Sequence, residues 1–259
     1  DITATTLGEG DAGTIIIANS GSFTVQGTDT DDAKISVAAN DTNSGIAGSL
    51  NFSGTDFDLD HTLISASTAS TKVGVDAASI TLNASGEFTI DDSLITASTT
   101  GDVAAGNITL IAQNELLDIS ESKLESTSSS IGTKAGQAGS VTLSGEGIVF
   151  VNSDVATTIS SLKPNNPTDI AASITIAANG GNLAITNSTV KGSTSGNSDA
   201  GDINHSTDQT AALIESEVSS KSTGDGAAGS VNLTAKDINF VDSLFNVETA
   251  STIAGSKAA

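Results

Sequence analysis

The feature that most constrains this chain is a phrase of three short alternating runs that returns along its whole length. Between Ala104 and Thr127 the runs carry Ile108 and Leu110, then Leu117 and Ile119, then Leu124 framed by Ser122 and Ser126. Apolar residues two apart lie on one face of extended backbone and leave their neighbours on the other, so each run is expected to be a half-buried strand and not a helix.

The phrase opens with an Ala-Gly or Ala-Ala pair, at Ala12, Ala47, Ala77, Ala105, Ala138, Ala171, Ala200, Ala228 and Ala258, at intervals of roughly 28 to 35 residues. A first strand follows, with inward positions Ile15/Ile17, Leu50/Phe52, Ile80/Leu82, Ile108/Leu110, Val141/Leu143, Ile174/Ile176, Ile203/His205 and Val231/Leu233. The second strand has Phe23/Val25, Phe57/Leu59, Phe88/Ile90, Leu117/Ile119, Ile148/Phe150, Leu183/Ile185, Ala211/Leu213 and Ile238/Phe240. The third reads Ser-x-apolar-x-small, as in Ser93-Ile95-Ala97, Ser153-Val155-Thr157 and Ser243-Phe245-Val247, with Thr62-Ile64-Ala66 as a variant. Small residues beside the apolar one suit a tight corner where the backbone turns inward. The first repeat departs, with an insertion around Asp29 to Asp32 and an additional strand-like Lys34-Ile35-Ser36-Val37.

Three strands per repeat, about eight times over, point to an all-β fold: a parallel β-helix in which each repeat is one coil and like strands stack. Loops rich in Gly, Asp and Ser vary in length between coils, as surface segments do. Pro164 and Pro167 fall in one such loop, where they interrupt no ladder. Joining Ala258-Ala259 to Asp1-Ile2-Thr3 regenerates the Ala-Ala-x-Ile-Thr phrase of Ala77–Thr81. Residues 1–259 are therefore expected to be a single β-helix domain that continues, as a segment of a longer polypeptide or as identical chains stacked end to end. The residues expected to mediate such stacking are Ile2, Ile15, Ile17, Phe240 and Phe245.

Composition narrows the partners. The chain has no Cys, Met, Trp or Tyr, nine basic residues, all of them Lys, and a net charge of −22. Such a charge repels phosphate backbones and anionic lipid, which argues against nucleic acid and membrane partners. No apolar run approaches the eighteen residues of a membrane-spanning helix.

The phrase itself carries a resemblance. Ala105-Gly106-Asn107-Ile108-Thr109-Leu110, then Leu117-Asp118-Ile119, then Ser-x-apolar, together with Ala138-Gly139-Ser140-Val141-Thr142-Leu143, resembles the haemagglutination-activity repeats of filamentous-haemagglutinin-like exoproteins. The resemblance spans nearly the whole chain and is weakest in the first repeat. It implies a right-handed coil, export by two-partner secretion from a Gram-negative bacterium, and a place at the cell surface in adhesion, aggregation or biofilm formation. The secretion domain of that family, with its Asn-Pro-Asn type motif, has no counterpart, because Pro164-Asn165-Asn166-Pro167 stands in a different setting.

Asp60 and His61, Asp91 and Asp92, Glu121, Asn152, Asn187, Glu215 and Asp242 recur at the corner after the second strand. Stacking brings such carboxylates together, which makes Asp60, Asp91, Asp92 and Glu121 calcium candidates, or an acid and base pair of a polysaccharide-active enzyme. The favoured reading is that Asp and Asn at a turn bond their own backbone. The chain has no Arg to clamp an anionic sugar and no Trp or Tyr to stack on one, so a non-enzymatic role is expected. Asp11, Asp102, Asp199 and Asp225 sit in Gly-containing loops that match no calcium-binding repeat, and solvated loops are the expectation. His61 is expected at a corner, and His205 at an inward position, as a core histidine with a local partner or in a locally distorted coil and not as a metal ligand. Serine and threonine rows such as Ala66 to Thr71 suggest an ice-binding face, but the mixed Leu, Lys, Glu and Asp of the outward third-strand positions argue against it.

Overall fold

The structure is a computed structural model and describes residues 1–43, 45, 47–71, 78–129, 137–160, 172–195, 198–224 and 226–250. Among them every regular element is a β-strand, from Ile2–Thr6 to Leu244–Thr249. The strands assort into three parallel sheets of nine, eight and eight members. Each pairs with its counterpart one repeat before and one repeat after, which makes the chain a parallel β-helix of three strands per coil.

First strands stack as Ile80–Ala84, Ile108–Ala112 and Val141–Gly145 do, with Ile80, Ile108 and Val141 in one column and Leu82, Leu110 and Leu143 in the next. Parallel pairing sets like positions over one another at about 4.8 Å, so the alternation of each strand becomes a continuous apolar wall. The three walls enclose a single core in which Leu50, Ile64, Ile80, Leu110, Leu143 and Leu183 are fully buried. Phe23, Phe57 and Phe88 form an edge-to-face stack along the second-strand wall, with ring centroids 5.5 and 5.2 Å apart. Such geometry sets the positive ring edge against a neighbour's negative face.

Where the head of a repeat is Ala-Gly and not Ala-Ala, the glycine can have a steric cause. A Cβ on Gly106 would lie 1.2 Å from the carbonyl oxygen of Ala78, and one on Gly201 would lie 1.2 Å from that of Ala172. Successive backbones pass so closely there that only a residue without a side chain fits. The pairs at Ala77, Ala171 and Ala258, the two prolines and Asp225 lie outside the described residues.

Two expectations about the first repeat are corrected. Lys34-Ile35-Ser36-Val37 is not an additional strand; it lies within the ordinary third strand, Ala33–Ala39, which pairs with Thr62–Thr68. The insertion precedes it and is closed by an antiparallel bridge between Thr28 and Asp31. Ile2–Thr6 does not take the place of a first strand, as the join with Ala258-Ala259 implies. It belongs to the sheet of third strands, with Ile2, Ala4 and Thr6 over Ile35, Val37 and Ala39. Inward residues that run from large to small match the third-strand wall, where the first-strand walls need two large side chains.

Candidate functional site

The corner between second and third strands is the most regular local structure in the molecule. In each coil after the first, one non-glycine residue turns the chain there through the left-handed region: His61, Asp92, Glu121, Asn152, Asn187, Glu215 and Asp242, with φ between 41 and 52°. Asn and Asp tolerate that conformation better than most residues, while Glu and His carry a steric cost. The turn aims the next N–H, that of the Ser/Thr residue, into the interior. Each such N–H donates to the hydroxyl of the serine one coil on: Thr62 to Ser93 at 3.0 Å, Ser93 to Ser122 at 3.0 Å, Ser122 to Ser153 at 3.1 Å, and Ser153 to Ser188 at 3.0 Å. Ser188 and Ser216 continue the series to Ser216 and Ser243 at 3.2 and 3.1 Å. Each hydroxyl in turn donates to the carbonyl two residues before it, as Ser153 does to Val151 at 2.8 Å. The serine column is thus a buried hydrogen-bonded ladder, a role that a reading of serine as merely small misses. The signal was present in the strict recurrence of a hydroxyl immediately after the polar corner residue.

Outside this ladder the corner carboxylates gather around His61. Its Nδ1 lies 2.5 Å from Asp60, and its Nε2 lies 3.2 Å from Asp29 of the insertion and 3.1 Å from Asp92 of the next coil. The hydrogen bond with Asp60 is the largest influence raising the His61 pKa above its ordinary value, and partial burial opposes it. The same bond holds Asp60 below the ordinary carboxylate range, against burial, with help from the amide of Gln26 at 3.1 Å. With acceptors at both nitrogens the ring is built to be an imidazolium, so His61 is a corner residue, as expected, but also the counterion of three coils.

The four calcium candidates are not brought together. Asp60 and Asp92 face His61, Asp91 accepts a 2.6 Å bond from Ser120, and Glu121 is exposed at its own corner. Among the described residues no group of three or more His, Cys, Asp or Glu side chains is arranged to hold a metal ion. Asp118, which sequence reasoning passed over, lies on the outer face of Leu116–Ser120. Burial there, and then the nearby Asp91, raise its pKa. Of the loop acids, Asp199 accepts the N–H of Ala227 at 2.7 Å. Asp202, at the foot of a first strand, likewise accepts that of Ser230 at 2.7 Å, so these carboxylates tie one coil to the next.

The residues expected to mediate assembly lie at the two ends of the described stack. Ile15 and Ile17 are half-buried at one end, and Ile2 beside them is 45% exposed. At the other end Phe240, 47% exposed, meets Phe245 edge to face with centroids 4.9 Å apart. Val231, Leu233 and Ile238 complete an open apolar hollow with them. His205 sits where the alternation places it, inside the wall and 2% exposed, with neither a local partner nor a distorted coil: neither ring nitrogen has a hydrogen-bond partner, and its strand keeps the parallel register of its neighbours.

Comparison with protein-family models, with curated proteins and with solved structures returns no match for this chain.

Proposed function

We propose that this chain is a non-enzymatic, load-carrying segment of a secreted bacterial surface fibre, the stalk of an adhesin of the filamentous-haemagglutinin-like kind. The observation that carries the reading is the unbroken register: every coil repeats the same three walls around one core, so bending the rod anywhere would break backbone ladders on some side. Repeats of this kind hold an end at a distance. The acidic exterior keeps such rods apart in solution and adds no clamp for an anionic glycan. The recurrent phrase supports the family and, with it, an extracellular location on a Gram-negative cell.

Negative-stain electron microscopy of the native material is expected to show stiff rods in which this segment accounts for roughly 40 Å of length. Cells lacking the segment are expected to carry shortened fibres and adhere less. Release of reducing sugar from an acidic or neutral glycan, dependent on calcium and lost in Asp91→Ala, would replace the stalk with an enzyme.

A second reading is favoured by the apolar ends. Ile2, Ile15 and Ile17 on one face and Ile238, Phe240 and Phe245 on the other suit head-to-tail association of identical chains into a filament. Sedimentation that grows with concentration supports this reading, and a single species at all concentrations removes it.

A further inference from the structure

One titratable group lies where the fold gives it no means of carrying charge. His205 points inward from Ile203–Thr207, with Ile176 on the coil before it and Leu233 on the coil after. In the equivalent column the preceding coils place Phe52, Leu82, Leu110, Leu143 and Ile176. The site is therefore shaped as a slot for a large apolar side chain, and both imidazole nitrogens end within it without a partner.

The strands packed against His205 offer nothing to compensate a positive ring. The inward side chains of Ile174–Ala178, Thr189–Thr194, Thr210–Ile214, Glu217–Ser222 and Val231–Thr234 include no titratable group. The charged residues of those strands, Lys191, Glu217 and Lys221, face outward. There Lys191 pairs with Glu217 at 3.4 Å, and Lys221 pairs with Glu248 at 3.1 Å. Asp202, just before the histidine strand, is exposed and engaged by the N–H of Ser230. A neutral imidazole is tolerated at this place; an imidazolium has neither solvent nor a counterion.

We propose that His205 is an acid-operated release point, and that a proton taken up there loosens the coils from Ile203 to Thr249 before the rest of the rod. The device is independent of the stalk reading, since it rests on the packing of the core alone. Burial pushes the folded-state pKa of His205 down to about 4 from 6.5. The unfolded chain therefore binds the proton first. The stability this site contributes is complete above pH 6.5, declines as pH falls and levels off only below the folded-state value of about 4.

The test compares the wild-type chain with His205→Leu in urea unfolding from pH 7.5 to 4. Carboxylates titrate in both proteins, so only the difference reports on the histidine. The unfolding constant of the wild type is expected to rise relative to the variant by up to about tenfold per pH unit below 6.5, reaching about 150-fold at pH 4. Hydrogen exchange is expected to accelerate first in residues 203–249 of the wild type and not in the variant. Parallel pH curves, or acceleration spread evenly along the rod, overturn the proposal. Should the variant not fold, the ring resonances of the wild type decide: His205 protonating near pH 4 while His61 titrates above 6.5 upholds it, and a His205 titration near 6.5 overturns it.

Discussion

Ser153 makes the bonds that show what single residues do here. Its hydroxyl accepts the buried N–H of Ser122 at 3.1 Å and donates to the carbonyl of Val151 at 2.8 Å. Removing it leaves a donor with no partner in a dry interior, which costs more than the bond was worth. Ser153→Ala is expected to lose about 1–3 kcal/mol in urea unfolding, whereas Ser153→Thr retains the hydroxyl, as Thr62 does in its own coil. The two histidines mark the opposite extremes of the same principle. His61, ringed by carboxylates, is set up to be charged, and His205, ringed by hydrocarbon, is set up to be neutral. Both positions were legible as places in the pattern. Their electrostatics were not, because Asp29 and Asp92 come from the coils before and after and join Asp60 at His61 only after stacking.

At the level of the element, the corner is where the coil is decided. A left-handed residue lets the second strand turn directly into the third with no loop between, and it is polar in all seven coils that follow the first, whose insertion takes its place. Glu121 isolates the backbone contribution, since its side chain is exposed and its φ is 47°. Glu121→Val is expected to destabilise by about 1–3 kcal/mol because a branched Cβ is crowded at positive φ. Glu121→Gly is expected to be neutral or stabilising, with thermal melting giving the order Gly, Glu, Val. A corner indifferent to this series would mean that the turn is not the constraint. The position of the corner could be read from the sequence, since the polar residue always precedes the hydroxyl. Its handedness could not, since Glu and His are unusual choices for that conformation and tolerate it here only because ladders on both sides hold it.

For the whole molecule, the consequence of stacking is that the two ends of the described rod are cross-sections of its own core. Phe240→Asp places a charge on one such face, and Ile17→Asp places one on the other. If chains associate end to end, either substitution is expected to abolish the larger species in sedimentation while leaving the circular dichroism of the coil intact. Persistence of those species would move the contact elsewhere. The alternation of period two, the glycines that let backbones pass and the recurrent serine were enough to determine three strands per coil and the inward face of each, because those choices are local and a one-residue slip would turn the apolar set to solvent. What only the tertiary structure decided was partnership between coils: that Ile2–Thr6 stacks with third strands, that serine hydroxyls form a ladder, that His61 gathers three carboxylates and that His205 has no partner. The strand stacking, the serine ladder and the Asp29 and Asp92 contacts of His61 each join residues roughly thirty positions apart in sequence, a separation that parallel stacking closes to about 5 Å and that no local pattern encodes.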